Sequence, residues 1–320
     1  MPAYEDILAA RQRIAGQALL TPLMNSPFLD EIAGRPVYVK PECLQRTGSF
    51  KLRGAWSAIS ALPDDTRAHG VIAYSSGNHA QGIAYAARSH GIPSVIIMPA
   101  DAPQSKIDNT RAYGAEVVLY DRYTEDRDAI GDRIAADRGL TLVRPFDDEH
   151  VIAGQGTVGL EIAEQAGALG IDEASVLVPC GGGGLTSGIA IALERAAPGL
   201  VVRPCEPEGF DDAGRSLLAN EILANPPGGR TICDAIMTPK PGDITFPHLK
   251  RLCGAGIVIT EDEVLRAMRL AFQRLKIAIE PGGAVGLAAA LFHGDELDLP
   301  VAIAVASGGN VDEEMFLRAL

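Results

Sequence analysis

Short apolar runs rich in β-branched residues alternate along the chain with longer segments of helical periodicity. Between residues 71 and 120 the order is VIAYSS, GNHAQGIAYAARSHG, SVIIMPA, SKIDNTRAYGA and EVVLY. From residue 141 the alternation resumes with TLVRPF, GQGTVGLEIAEQAG, SVLVPC, TSGIAIALERAA, VVRPCEP and VAIAVASGG. This rhythm is typical of parallel β-sheets covered by helices. We therefore predict an α/β fold in which the apolar runs are strands buried on both faces.

One long segment departs from this alternation. Residues 225–247 read NPPGGRTICDAIMTPKPGDITFP, where Pro and Gly interrupt any helical or strand pattern. Irregular segments of this length within a compact chain are often functional. We expect a surface excursion that serves as a lid or an interface.

Composition and charge narrow the kinds of partner. The 320 residues are 47% hydrophobic and 22% charged, and the formal net charge is −13 at pH 7. Nucleic-acid and membrane surfaces need clustered Lys and Arg, so we expect neither partner and favour a small molecule. The 5 cysteines are far apart and form no C-x-x-C pair, which indicates reduced thiols. The N-terminus lacks the apolar run of a signal peptide, so we predict a cytoplasmic protein.

The strongest local motif is a run of four glycines between a strand and a helix. In SVLVPCGGGGLTSGIAIALERA the apolar run ends at Gly181, Gly182, Gly183 and Gly184. Their N–H groups, with the free donors at the helix start, suit a phosphate without any basic side chain. The P-loop motif requires a lysine that is absent here, and the dinucleotide motif is matched only trivially. A flexible turn is the alternative interpretation.

Two more polar loops follow predicted strands. The first consists of Ser75, Ser76, Gly77, Asn78 and His79, and the second is SGGNVD, which begins at Ser307. Helix capping alone explains one Ser or Asn, but not the whole first cluster. Because ligands bind at the carboxyl ends of strands in open α/β sheets, we expect the three loops to meet around one ligand.

The motifs TGSFKLRGA, SSGNHAQG, GGGGL and SGGNVD, in this order over nearly the full length, resemble the fold type II pyridoxal-phosphate enzymes. The similarity is to the serine/threonine dehydratase and serine racemase group. It implies pyridoxal phosphate, a homodimer, and two open twisted α/β domains with the cofactor in the cleft. Residues 1–68 and 148–320 are expected to form the large cofactor-binding domain, and residues 69–147 the small substrate-binding domain. Because the chain ends shortly after SGGNVD, we do not expect the regulatory extension of biosynthetic threonine dehydratases.

By the same resemblance, Lys51 holds the cofactor covalently and Phe50 flanks its ring. Asn78 partners the ring oxygen and Ser307 the pyridine nitrogen. The phosphate loop comprises Gly181, Gly182, Gly183, Gly184 and Leu185. A lone lysine after TGSF is more often a surface charge. Partial burial beside Phe50, however, favours the loss of the proton that covalent attachment requires.

The expected reaction follows from Ser307 and the resemblance. A hydroxyl cannot keep the pyridine nitrogen protonated as a carboxylate does, which favours prompt loss of a β leaving group or reprotonation at Cα. We expect an ammonia-lyase, or dehydratase, that converts 3-hydroxyaspartate, serine or threonine to a 2-oxo acid and ammonia. The alternative is a serine or aspartate racemase in which Lys51 and Ser76 act from opposite faces. A silent cofactor-binding protein and a sulfur-linked β-replacement enzyme rank lower.

Substrate residues are expected in two places. The α-carboxylate is expected at Ser75, Ser76, Gly77, Asn78, His79 and their backbone amides. Arg127 resembles an arginine that binds the substrate side chain in serine racemases, and it would hold a second carboxylate bidentately. That role makes 3-hydroxyaspartate a better substrate than threonine. Alternatively, Arg127 pairs with neighbouring acids of its own helix. Thr238 is a further candidate for the same pocket.

A divalent-cation site is implied by the resemblance of EPEGFDDAGRSL. Glu206 and Asp212 match its carboxylate ligands, and the Phe210 carbonyl is the third ligand. Oxygen ligands indicate Mg²⁺, with Ca²⁺ or Mn²⁺ as alternatives. The competing interpretation is a solvated acidic turn. Glu280 is expected near the cofactor or as a residue that orders this region.

Overall fold

Two β-sheets organise the part of the chain that this computed structural model describes, residues 1–102, 104–121 and 123–320. Numbered β1 to β10 in chain order, the strands are Met24–Asn25, Val37–Pro41, Val71–Tyr74, Ser94–Pro99, Glu116–Tyr120, Thr141–Leu142, Ala174–Pro179, Leu200–Pro207, Ile257–Ile259 and Ala302–Ala306. Most of them coincide with the predicted apolar runs. The exceptions are β1, β2 and β9, which the alternation did not reveal because they are short or contain charged and polar residues.

The first helix precedes the first strand, and the other helices lie between and after the strands. Numbered α1 to α14, the helices are Tyr4–Arg13, Pro27–Ala33, Lys51–Ala61, Asp64–His69, Asn78–His90, Gln104–Ala112, Arg127–Arg138, Glu149–Ala168, Gly184–Ala196, Asp212–Ala219, Thr245–Leu252, Glu261–Leu270, Pro281–Phe292 and Glu313–Ala319. Short 3₁₀ turns occupy Glu42–Leu44, Asp234–Ile236 and Gly294–Glu296, and a π-helical turn occupies Ala271–Leu275. No helix in the described ranges is long and apolar enough to cross a membrane.

The first sheet has the strand order β1-β2-β10-β7-β8-β9. Strand β1 is antiparallel to β2, and the other pairs are parallel, with Ala304 beside Val39 on one side and Leu177 on the other. Helix α13 packs against β7 and β10 and is buried from Pro281 to Leu291. The alanines and glycines of α13 allow this close approach to the sheet. Together, the helix and the sheet form much of the largest apolar core.

The second sheet, β5-β4-β3-β6, is wholly parallel. Its strands lie between residues 71 and 142, inside the segment predicted as the small domain. Strand β4 is buried along its whole length, as predicted, but β5 is not. The expectation of two buried faces was wrong for the two edge strands of this sheet. In β5, Glu116 and Leu119 are exposed and the other three residues are half-buried, and both residues of β6 are half-buried.

The loops after β2 and β10 are hydrogen-bonded to each other. The Phe50 N–H donates to the Ser307 carbonyl at 3.1 Å, and the Gly309 N–H donates to the Gly48 carbonyl at 2.8 Å. Gly48 has φ +72°, a left-handed conformation that favours glycine. These contacts place the start of α3, and therefore Lys51, beside the carboxyl end of β10.

A buried ion network supports the other side of α3. Arg53 donates to Glu42 at 2.7 Å and to Glu161 at 2.6 Å, and Lys40 donates to Glu161 at 2.6 Å. The side chains of Lys40, Glu42 and Arg53 are fully buried. Each charge has an opposite partner, which burial requires. Arg53 lies two residues after Lys51 in α3. The network therefore joins this part of α3 to α8 and to the end of β2.

Candidate active site

The predicted loops meet in one cleft with a volume of about 170 Å³. Its lining includes Phe50 and Lys51, residues 75–79, residues 181–185 and Ser307. Sequence reasoning thus brought together residues from four separate parts of the chain. It did not name Phe146, Thr186 or Lys106, which line the same cleft. Thr186 directly follows the predicted phosphate loop, whereas no motif marked Phe146 or Lys106, which reach the cleft through the packing of their loop or helix.

Lys51 is the first residue of α3 and is partly buried in the cleft. Its Nζ donates to the Pro145 carbonyl at 2.6 Å and lies 5.1 Å from the centroid of the Phe50 ring. Burial lowers the pKa of Lys51 to about 8, against a smaller opposite effect of Glu280. About a tenth of the amine is then neutral at pH 7, so Lys51 can act as a nucleophile or a base.

The glycine run leads from β7 into α9, which begins at Gly184. Gly183 is the helix N-cap with φ +90°. A Cβ at Gly184 would lie 3.0 Å from the Phe146 backbone, and one at Gly182 would overlap the Phe146 ring. A larger residue at either position would force the Phe146 segment to move. The first N–H groups of α9 have no partners within the helix, so this end of the cleft attracts an anion.

A chain of side-chain hydrogen bonds holds Asn78 at the opposite edge. Its Nδ2 donates to Glu280 Oε1 at 2.6 Å, and its Oδ1 accepts from Asn310 Nδ2 at 2.7 Å. Asn310 also donates to the Thr47 carbonyl at 2.9 Å. Burial raises the pKa of Glu280 to about 7, although the hydrogen bond from Asn78 opposes this rise. The Asn78 amide is thus oriented by two loops of the first sheet.

The loop from Ser75 to His79 joins β3 to α5, and all five of its residues line the cleft. The Ser75 hydroxyl accepts from the Gly77 N–H at 3.2 Å. His79 Nε2 lies 2.9 Å from the Val143 carbonyl, and burial lowers the pKa of His79 to about 3. A carbonyl only accepts, so Nε2 carries the proton and Nδ1 is an acceptor. The His79 ring therefore cannot donate to a carboxylate, whereas its backbone N–H can.

Arg127 and Lys106 are the two candidates for binding a substrate side chain. Arg127 begins α7, is about half exposed (47%), contacts Asp128 at 3.1 Å and stacks 5.2 Å from the centroid of Tyr74. It is not among the described residues that line the cleft. Lys106 does line it, although sequence reasoning did not consider this residue. Thr238 lines it as well, and its buried hydroxyl has no partner among the described residues.

The predicted cation ligands lie around the end of β8 and the start of α10. Glu206 is buried and accepts from the Ala213 and Gly214 N–H groups at 2.8 and 2.7 Å. Burial and repulsion by Asp212 raise the pKa of Glu206 well above its usual range. One Asp212 oxygen accepts from Asn225 at 2.5 Å, and the other is buried without a partner in the described ranges. An unpartnered oxygen beside a second buried carboxylate fits a hard cation.

A larger cluster is not present there: the described residues hold no group of three or more His, Cys, Asp and Glu side chains that could bind a metal. The predicted set has only two carboxylates, and its third ligand is the backbone carbonyl of Phe210. Phe210 lies between Glu206 and Asp212 in the chain, and its N–H donates to the Pro207 carbonyl at 3.0 Å.

A profile of pyridoxal-phosphate dependent enzymes matches residues 14–308. The chain belongs to this family. It is 40% identical over 317 residues to L-threo-3-hydroxyaspartate ammonia-lyase of Saccharomyces cerevisiae, covering 99% of this chain and 95% of that protein. It is 40% identical to serine racemase of Dictyostelium discoideum, covering 96% and 94%. The crystal structure of a T.th. threonine deaminase matches with a TM-score of 0.91 and 44% identity, covering 97% and 99%.

The family and these relatives confirm the predicted fold type II architecture and pyridoxal phosphate as the cofactor. The cleft fits this group. Lys51 has a lowered pKa, and the glycine loop lines the cleft beside the free N–H groups at the start of α9. Ser307 lines the same cleft and is 5% exposed.

Proposed function

We propose that the protein is an ammonia-lyase that converts a β-hydroxy amino acid to a 2-oxo acid and ammonia. The first candidate substrate is 3-hydroxyaspartate, ahead of serine and threonine. The observation that carries this proposal is the partly buried Lys51, whose lowered pKa coincides with a glycine loop and a polar loop in one cleft. Two of the relatives, an ammonia-lyase and a threonine deaminase, support it.

Lys51, Phe50, Asn78, Ser307 and the loop 181–185 are proposed to hold the cofactor. When bound, pyridoxal phosphate withdraws electrons from Cα of the amino acid and makes its proton acidic. The amine of Lys51 takes that proton, since burial keeps a useful fraction of it neutral near pH 7. The N–H groups at the start of α5 hold the α-carboxylate. Glu280 and Asn310 keep the Asn78 amide in a fixed orientation.

Loss of the β-hydroxyl as water and subsequent hydrolysis release ammonia. For 3-hydroxyaspartate the 2-oxo acid is oxaloacetate. The test is to incubate the purified protein, with pyridoxal phosphate and Mg²⁺, with L-serine, L-threonine and both diastereomers of L-3-hydroxyaspartate. Both 2-oxo acid and D-amino acid are assayed, with Lys51→Ala as the inactive control. Oxaloacetate from one hydroxyaspartate diastereomer supports the proposal, whereas an absence of 2-oxo acid from every substrate refutes it.

The second candidate is racemisation of serine or aspartate. Ser76 lines the cleft together with Lys51, and its hydroxyl is a candidate acid for returning a proton to Cα from the opposite face. Serine racemase from Dictyostelium discoideum, at 40% identity, supports this alternative. D-Serine as the dominant product, lost on Ser76→Ala substitution, would establish it. A Ser76→Ala variant that still forms 2-oxo acid without D-amino acid would exclude Ser76 as the lyase base.

We also propose that Glu206, Asp212 and the Phe210 carbonyl bind Mg²⁺, or Ca²⁺ or Mn²⁺. The unpartnered Asp212 oxygen is the main support. Mg²⁺ is expected to raise the melting temperature of the native protein but not that of Asp212→Asn. Asp211→Asn is a matched control because Asp211 contacts Arg215 at 3.2 Å. An equal Mg²⁺ response in all three proteins would contradict the site.

The proposed assembly is a homodimer, and the proposed location is the cytoplasm. The dimer is tested by sedimentation velocity of the cofactor-loaded protein at several concentrations. A single monomeric species throughout would argue against it.

A further inference from the structure

Lys106 and Asp234 form an ion pair at the wall of the cleft. Nζ of Lys106, on α6, donates to Oδ2 of Asp234 at 2.7 Å. The Lys106 side chain is 15% exposed and that of Asp234 is 53% exposed. Asp234 belongs to the irregular segment 225–247, in its short 3₁₀ turn. The pair therefore joins a helix of the segment 69–147 to a loop outside it.

The pair lines the same cleft as Asn78 and Glu280. Glu280, which accepts from Asn78 at 2.6 Å, has its pKa raised by Asp234 and lowered by Lys106. Lys106, Asp234 and Glu280 also line a second cavity together. Lys106 and the loop 75–79 line the same cleft, where the substrate α-carboxylate is expected.

Two cationic side chains line the cleft among its described residues, Lys51 and Lys106. His79 is neutral, and Arg127 is not part of the lining. Lys51 is committed to the cofactor under the proposed function. The cation that remains for a substrate side chain is Lys106, whose ammonium group forms strong hydrogen bonds to carboxylates.

We propose that Lys106 binds the second carboxylate of a dicarboxylic amino acid, and that this carboxylate displaces Asp234 from the ion pair. This inference rests on the proposed function and narrows its substrate class to 3-hydroxyaspartate. Asp234 is free to turn away without being buried unpaired, because its side chain is largely exposed. It also borders a second cavity of about 450 Å³, whose lining includes the cation of Arg230.

The test uses the cofactor-loaded protein and two non-reacting ligands. Succinate carries both carboxylates of aspartate on the same carbon chain but no amine, and butyrate has one carboxylate fewer. Calorimetric titration gives the ratio of their dissociation constants for the native protein and for Lys106→Gln, Lys106→Arg, Asp234→Asn and Arg127→Gln. Steady-state kinetics give the ratio of kcat/KM for L-threo-3-hydroxyaspartate to that for L-serine in the same proteins.

We expect Lys106→Gln to reduce both preferences roughly tenfold or more, the size of a lost charge-assisted hydrogen bond. Lys106→Arg should retain most of each preference, and Asp234→Asn should strengthen succinate binding by removing its competitor. If Lys106→Gln weakens both ligands equally, the pair only joins the two parts of the chain and the inference is wrong. If Arg127→Gln alone removes the preference, Arg127 holds the carboxylate and the inference is again wrong.

The two proposals fail in different ways. Oxaloacetate formation whose preference is unchanged in Lys106→Gln would keep the lyase and refute the role of Lys106. Succinate binding that depends on Lys106, with no 2-oxo acid from any substrate, would refute the lyase and keep the dicarboxylate site.

Discussion

Replacing Lys51 by methionine is expected to stabilise the apoprotein at neutral pH, because the native lysine carries its proton in a place that disfavours charge. Burial lowers the pKa of Lys51 from 10.5 to about 8. A difference of this size corresponds to about 3 kcal/mol at 1.36 kcal/mol per pKa unit. Below pH 8 both the folded and unfolded states hold the proton, so the folded state bears the whole cost.

The pH dependence gives the prediction its sign. Between pH 8 and 10.5 the unfolded chain still binds a proton that the folded protein has lost, so native stability rises with pH. The slope is about 1.4 kcal/mol per pH unit for one group. The advantage of Lys51→Met over the native apoprotein should therefore shrink by about 3 kcal/mol across this range. Methionine adds a pH-independent contribution from its apolar side chain, which does not affect this change.

The assay is urea denaturation of both cofactor-free proteins at several pH values from 7 to 10.5. Other groups that titrate in this range contribute equally to both proteins and cancel in the difference. Lys250→Met, on the exposed face of α11, is the matched control and should show no such trend. A difference between Lys51→Met and the native protein that stays constant with pH would refute the lowered pKa of Lys51.

Two further predictions concern the surroundings of Lys51. Gly184→Ala should weaken pyridoxal phosphate binding about tenfold or more, measured by equilibrium dialysis, because its methyl would press on the Phe146 backbone and displace the phosphate loop. Gly167→Ala, where nothing lies within 4 Å, is the control, and equal affinities would contradict the phosphate role. Arg53→Met should lower the free energy of unfolding by about 3–5 kcal/mol in urea, since it leaves Glu42 buried and unpaired. A loss below about 1 kcal/mol, the contribution of one exposed ion pair, would mean that the network adds little to the free energy of unfolding.

Much of the fold was predictable because its signals are local. Alternating apolar and helical segments indicated the α/β class. The strands β1, β2 and β9 were not predicted because they are short or contain charged and polar residues. Strand β2 contains Lys40, and a charged residue is not expected in a buried strand. Here Glu161 of α8 neutralises the charge of Lys40. A partner that is 121 residues away in the chain cannot be found from a strand pattern.

The cleft shows the same division. The glycine run, the loop from Ser75 to His79 and the SGGNVD loop were identified from the sequence, because each combines a strand end with residue types suited to one chemical task. The hydrogen-bonded chain of Asn310, Asn78 and Glu280 was not, since its members are 232 and 202 residues apart. The acceptor state of the His79 ring was equally hidden, because it depends on the Val143 carbonyl.

The sequence by itself determined the fold class, the family resemblance, the cofactor and the loops that surround it, since these depend on periodicity and on short motifs in a fixed order. Only the tertiary structure decided which cationic side chains line the cleft. Arg127 was the expected cation by resemblance to serine racemases, yet it packs on Tyr74 and contacts Asp128. Lys106, with no motif around it, lines the cleft because α6 packs beside the irregular segment that carries Asp234. Side-chain direction is set by packing between distant segments, and no local pattern encodes it.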